Sequence, residues 1–393
     1  MNRADFPIFK GQPDLVYLDS ANTTLKPRTV IDAVRRYYED YSANVGRATY
    51  DLAERATAQY ESTRNLVADF IGANPDEIIF THSASYAINF AVFGLKKFLH
   101  AGDVILLTEY EHNSNIIAWQ KVAAETGAEI VYLPSSRAQR GNLDRLLRSA
   151  RNGKKIKTFS YSLISNITGE LFDHRELSAW IRARGGLVLV DATQAVGRMS
   201  VDVNELNCDF LVFSSHKIYG PSGVGVLCAR SNAQTKLEPI IYGSQTFTSI
   251  LPQTTELSHD YSRFEPGTPN IEGVIGLGAA IEYVNSVIAT HDQDLTQYAI
   301  EKLEQNDLKK YLIGEPQVGI LSLNHPTIHP HDFAMLLNQK NIAVRAGKAC
   351  GDILMQKLGL NRGVVRISFG IYTTKTDIDK FIAEYQNAIG RLT

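Results

Sequence analysis

The chain has 393 residues, 44% of them hydrophobic and 21% charged, with a formal net charge of −2. That is an ordinary globular composition, long enough for two domains and a large core, and its near-zero charge gives no case for a nucleic-acid or membrane partner. No apolar run reaches the ~18 residues of a membrane span, the start MNRADFPIFKG lacks the apolar stretch of a signal peptide, and three cysteines (Cys208, Cys228, Cys350) form neither a framework nor a CxxC, so a reducing cytoplasm is expected.

DLVYLD (14–19) predicts a short strand, and the polar turn SANTTLKP follows it. Pro27 opens a helical pattern in which Ile31, Val34, Tyr38 and Tyr41 recur at steps of three and four. NVGRATYDLA carries Arg47 in a loop, where a surface role is its default reading. A second helix spans 51–72 and ends near Gly72. Strands are expected at 77–81, 104–107, 129–133, 157–161 and 187–190, with helices near 84–99, 114–126, 142–152 and 174–184. This alternation predicts a mainly parallel sheet with helices on both faces and right-handed crossovers.

Several turns after strands carry polar groups. THSASYAIN (81–89) sits between a strand and a helix, where free N–H groups make an anion site; the plainer reading is a helix cap by Ser83 or Ser85. EHNSNIIAWQ (111–120) places His112 before a helix, and SLISNITGE places Asn166 after a strand.

The densest chemistry lies between Val188 and Val226. VLVDATQAVG and DFLVFSSHKIYGPSGVGVL each start with an apolar run too short for a helix, which reads as a buried strand. Ligands of open α/β sheets sit beyond the carboxyl ends of strands, so Asp191 and Lys217 should face one site. Singly, the lysine would be a solvated strand end and the aspartate a helix cap. Together with Gln194, Ser214 and His216 they suit pyridoxal phosphate. The lysine amine condenses with its aldehyde, and the aspartate keeps the ring nitrogen protonated so that the ring can take up electrons.

Further on, RFEPGTPNIEG (263–273) reads as a loop holding Gly267, Thr268 and Pro269. A long helix is expected from near Ile275 to His291. From about 285 the pattern becomes α+β, with strands near 318–323 and 364–369 and helices near 329–340 and 374–391. VRAGKACG (344–351) sets Cys350 among Gly, Lys and Arg, while Cys208 and Cys228 lie in apolar surroundings. Lys348 and Arg345 are cations that would favour a thiolate at Cys350. VRISFGIY carries Arg366, and a guanidinium suits bidentate carboxylate binding.

These strings, SSHKIYGPSGVGVL above all, resemble the class V aminotransferase-like pyridoxal phosphate enzymes, and among them the short-loop (group II) cysteine desulfurases. The matches run along nearly the whole chain. The resemblance implies the fold type I architecture of pyridoxal phosphate-dependent transferases: an α/β large domain with a mainly parallel seven-stranded sheet, plus a small α+β C-terminal domain. The expected division is an N-terminal segment (1–23), a cofactor domain (24–284) and a small domain (285–393) carrying the Cys350 loop. It further implies that the turn with Ser85 holds the phosphate and that Ser214 and His216 line the cofactor. His112 would lie over the ring and serve in acid–base work. Asn166 would bond the 3-oxygen and the substrate, with Gln194 sharing that task. Thr268 would reach the partner's phosphate across a homodimer. Arg366, with Arg345, would hold the substrate carboxylate.

The chain departs from the family pattern at Ala84 (a threonine), Tyr86 (a glutamate), Lys348 and Ala349 (two histidines), Ala346 (a threonine) and Gly46 (a histidine). The implied activity is conversion of L-cysteine to L-alanine with a persulfide on Cys350, destined for a sulfur-acceptor protein and iron–sulfur cluster assembly; selenocysteine is a second substrate for the same geometry. No metal site is expected. Two alternatives stay open: another class V aminotransferase or lyase in which Cys350 is incidental, and a catalytically silent relative that binds a sulfur-transfer partner.

Overall fold

The computed structural model describes residues 3–46, 48–133, 155–286 and 291–393. Arg47 and the whole of the helix expected near 142–152 lie outside them. Strand β1 (Val16–Tyr17) comes first, followed by β2 (Ile78–Thr81), β3 (Val104–Thr108), β4 (Glu129–Leu133), β5 (Ile156–Ser162), β6 (Leu187–Asp191), β7 (Phe210–Ser214) and β8 (Gly225–Ala229). The last seven form one sheet in the order β2-β8-β7-β6-β5-β3-β4. β8 alone runs opposite to the other six.

Every residue of β3, β6, β7 and β8 is buried. Successive side chains serve opposite faces, as strand geometry requires. Leu106, Val188, Val190, Leu211 and Phe213 face one core, which includes Ala53, Tyr60 and Val67 of the helix Asp51–Ile71. Ile105, Leu107, Leu189, Phe210 and Val212 face the other, under the helices Ala84–Gly94 and Asn113–Thr126. The near-continuous apolar strands therefore reflect burial on both sides.

The helix opened by Pro27 spans Arg28–Asp40, but its buried face is Val30, Ala33 and Tyr37. Ile31 and Tyr38 are 38% and 57% exposed. Two stripes satisfy the same three-and-four spacing, and packing on the helix Ile271–Asn285 selects the one that local sequence does not single out. That second helix also differs from expectation. Asn270 caps it by accepting from the Gly273 N–H at 2.9 Å, so it begins four residues early. It ends at Asn285, and a separate helix, His291–Gln305, follows.

The hairpin β9 (Phe247–Leu251) and β10 (Thr254–Leu257) precedes the Thr268 loop. The C-terminal part holds a second sheet of β11 (Leu312–Ile313), β12 (Ile320–Leu323), β14 (Arg345–Gly347) and β15 (Val364–Ser368), in the order β11-β12-β15-β14. β13 (Ile342–Ala343) pairs instead with β1, in parallel. The first strand thus packs among C-terminal elements around Leu321, Ile367 and Phe381. Among the described residues no helix is long and apolar enough to cross a membrane, and no His/Cys/Asp/Glu cluster could hold a metal ion.

Candidate active site

The sheet order places the functional turns side by side along one edge. The Ser83 turn follows β2, His112 follows β3, Asn166 follows β5, Asp191 ends β6 and Lys217 follows β7. Because β8 is antiparallel, its first residue, Gly225, reaches the same edge. A Cβ there would lie 2.3 Å from the backbone carbon of Ser83, so only glycine lets the strand pass under the turn.

The helix Ala84–Gly94 is capped by Ser83, whose hydroxyl accepts from the Tyr86 N–H at 3.1 Å. Ser214 accepts from the Ala84 N–H at 2.7 Å, which joins the turn to the end of β7. Ser85 is exposed and shares a 2.7 Å hydrogen bond with Ser114.

Lys217 sits in the short turn Ser215–Lys217. Burial pushes its ammonium down to about 8; Asp191 opposes that shift and Arg366 adds to it, with Cys350 also near enough to act. Asp191 is 7% exposed, and its carboxylate accepts from the Thr193 N–H at 2.9 Å. The carbonyl just before Lys217, that of His216, accepts from the Thr24 N–H (3.0 Å), the Thr24 and Thr23 hydroxyls (3.0 and 3.2 Å) and Lys26 Nζ (3.1 Å). Burial pushes the His216 imidazole down to about 4, so it is neutral at physiological pH.

His112 caps its helix, Nδ1 accepting from the Ser114 N–H at 3.1 Å. Burial and the Lys217 charge hold it below its ordinary value, favouring a neutral ring. The preceding residue, Glu111, received no role from the sequence, yet it is the brace of this region. Its buried carboxyl takes Asn115 Nδ2 (2.7 Å), the Ser162 N–H (3.0 Å), the Ser162 hydroxyl (2.9 Å) and the Thr108 hydroxyl. Ser162 is the register partner of Asp191. One side chain therefore ties the His112 turn to the strand beside Asp191. Burial raises it to about 7 despite those donors. The available signal was a glutamate beside the candidate histidine.

Arg366, on β15, is 3% exposed. Its Nη1 donates to the Asn166 carbonyl at 2.9 Å and its Nη2 reaches Asp19 at 3.4 Å. Asn166 in turn donates from Nδ2 to the Ala349 carbonyl at 2.7 Å, which links Arg366 to the Cys350 loop. Gln194 donates to the Ala21 carbonyl at 2.8 Å. Among the described residues Gln194 Oε1, Thr193 Oγ1 and Arg366 Nε are buried without a hydrogen-bond partner. Orphaned buried polar atoms are costly unless a ligand meets them. A ring with a polar rim and a carboxylate-bearing substrate would meet these three, one acceptor, one hydroxyl and one donor, so the residues fit pyridoxal phosphate.

Cys350 is exposed at the tip of the turn after β14. Ala349 and Cys350 both have left-handed backbone, φ 45° and 59°, which costs non-glycine residues roughly 1–2 kcal/mol each. The two cations expected to serve the thiol are placed otherwise. Lys348 pairs with Asp352 at 3.1 Å, and Arg345 is an exposed residue opposite Arg366 across the strands.

Thr268 does not join the group within one chain. It is exposed and accepts from Asn44 Nδ2 at 3.4 Å, beside a groove of about 260 Å³ near Tyr60 and Arg64. Its loop is fixed by Glu265, which takes Arg64 bidentately at 2.9 and 3.0 Å and the Phe80 N–H at 2.7 Å. A larger cavity of about 650 Å³, beside Arg3, Tyr298 and Lys375, contains none of the residues named from the sequence.

A cysteine desulfurase from Thermococcus onnurineus NA1 superposes with TM-score 0.91 at 33% identity, covering 99% of this chain and 97% of that one. The cysteine desulfurase CsdA of Escherichia coli gives 0.89 at 31% identity over the same shares. A probable cysteine desulfurase of Vibrio cholerae is 38% identical, over 99% of this chain and 98% of its own length. Residues 16–381 match Aminotransferase class-V, and with the strand-edge arrangement above this establishes that the chain belongs to the aminotransferase class-V family.

Proposed function

We propose that this protein is a pyridoxal phosphate-dependent cysteine desulfurase. The observation that carries the reading is the joining of two groups through Asn166, whose carbonyl holds the buried Arg366 and whose amide holds the Cys350 turn, with both Arg366 and Cys350 near enough to act on Lys217. The names of the relatives support the same reading.

When bound, pyridoxal phosphate supplies an electron sink next to the substrate Cα. Lys217 provides its amine, and its lowered pKa leaves much of it neutral and able to take the Cα proton. Asp191 would hold the ring nitrogen protonated, and His112 would cover the ring. Arg366 holds the substrate carboxylate. Cys350, as thiolate, attacks the substrate sulfur. The S–S bond forms as the C–S bond breaks, and the electron pair stays with the carbon fragment, which takes up protons and leaves as alanine.

The rest of the reading is a homodimer in which Thr268 serves the partner's site, a sulfur-acceptor protein that takes the persulfide for iron–sulfur cluster assembly, and a cytoplasmic location. The division at 23/24 and 284/285 belongs to it too, as does selenocysteine as a second substrate. The test is alanine released from L-cysteine by wild type and Cys350→Ser, with mass spectrometry of the Cys350 peptide. Wild type should release alanine and gain one sulfur; the variant should bind cofactor and release none. Equal release from both makes Cys350 a bystander and returns the chain to another class V activity.

A further inference from the structure

The Cys350 turn carries two successive non-glycine residues in left-handed backbone, a shape that short turns do not hold unaided. Its fastening comes largely from one residue on a different element. Asn113, the first residue of the helix that His112 caps, donates its backbone N–H to the Cys350 carbonyl at 2.9 Å. Its side-chain Nδ2 donates to Asp352 Oδ2 at 2.7 Å, and its Oδ1 accepts from the Asp352 N–H at 3.2 Å. Asp352 opens the short helix that follows Cys350 and also takes Lys348 at 3.1 Å. Asn113 and Lys348 together hold the Asp352 carboxyl below its ordinary range. On the other side, Gly351 rests on Ile167, where a Cβ would lie 2.8 Å from Cγ1.

We propose that Asn113 is a positioning residue for Cys350: by gripping both the Cys350 carbonyl and the next helix start, it clasps the turn to the His112 helix and so fixes where the thiol points. This rests on the desulfurase reading for its purpose and on geometry for its existence. Asn113 is well suited to the task because its amide both donates and accepts, which closes a ring with Asp352 that neither a carboxylate nor an alkyl chain could close. The clasp joins the turn to the helix that His112 caps, so the thiol and the His112 ring would move together.

The experiment uses full-length holoenzyme and three variants: Asn113→Ala, Asn113→Asp, and the double change Asn113→Asp with Asp352→Asn. The first readout is amide hydrogen exchange at residues 348–352, against strands 345–347 and 364–368 as internal reference. The second is kcat and KM for alanine formation from cysteine. Asn113→Ala should raise exchange at 348–352 about tenfold, leave the strands unchanged, and lower kcat about tenfold with KM within twofold. Asn113→Asp alone faces one carboxylate with another and should be at least as impaired. The double change restores an amide–carboxylate pair with the roles exchanged and should recover both readouts. Unchanged exchange in Asn113→Ala, a kcat that stays at the wild-type value, or a double variant no better than Asn113→Asp would overturn the proposal. A wild type that forms no alanine sinks the desulfurase reading, and the exchange measurement then decides the clasp by itself.

Discussion

Lys217 offers the most direct check on the site, because two neighbours push its proton affinity in opposite directions. Burial lowers it from 10.5 to about 8, Asp191 acts against that shift, and Arg366 reinforces it. At pH 7.5 an amine with pKa 10.5 is about 0.1% neutral, whereas one at about 8 is roughly a quarter neutral, a gain of about two hundredfold in the reactive form. The assay is competitive isotope labelling of the cofactor-free protein with acetic anhydride between pH 6 and 10, reading the Lys217 peptide against the surface lysines of the same digest. The expected midpoint is near 8. Asp191→Asn removes a carboxylate that stabilises the ammonium, so the midpoint should fall. Arg366→Ala removes a like charge, so it should rise. A wild-type midpoint above about 10, or variants that move the same way, would refute the electrostatic assignment and with it the poised base.

Arg366→Ala should weaken L-cysteine binding tenfold to a hundredfold, the size of a lost charge-assisted pair, while the visible absorption of bound cofactor persists; spectroscopic titration checks it, and wild-type affinity would place the carboxylate elsewhere. Glu111 holds a proton in the folded state between pH 4.5 and about 7 that the unfolded chain has lost, so its contribution makes stability fall as pH rises through that window. Urea unfolding should therefore show wild type losing ~2–3 kcal/mol relative to Glu111→Gln between pH 5 and 8; parallel curves would mean that Glu111 is ionised throughout. Gly225→Ala forces a Cβ against the Ser83 backbone, which cannot yield as a flexible side chain would. The strain of overpacking, ~1–3 kcal/mol, should appear as weaker cofactor binding in equilibrium dialysis, and unchanged affinity would show that the Ser83 turn plays no part in it.

Much of this site was legible because its residues sit at the ends of apolar runs. A fully buried parallel strand leaves a clear mark in sequence, and its carboxyl end has one side to face, so the sequence itself brings Asp191 and Lys217 together. Three kinds of feature were not legible. The insertion of antiparallel β8 between β2 and β7 depends on pairing that strand patterns do not encode. The buried face of the helix Arg28–Asp40 depends on which helix it meets. The partners of charged side chains depend on distant backbone: Lys348 reads as a free cation beside Cys350 until Asp352 is seen to hold it, and Asp19 carries no mark of its reach to Arg366. Glu111 is a milder case, since its four donors come from the ends of β3 and β5 and the start of a helix, which sequence separates by 54 positions (108 to 162).

The contact of Arg366 with Asp19 spans 347 positions of chain, and its contact with Asn166 spans 200. During synthesis Lys217, Asp191 and His112 all emerge long before Arg366 does. On the proposed reading, Arg366 is thus the last of these groups to come into being, and it needs Asp19, made earlier, to have stayed available. A chain stalled short of β15 would present Lys217, Asp191 and His112 without Arg366. Order of birth would then separate holding the reagent from choosing what it acts on.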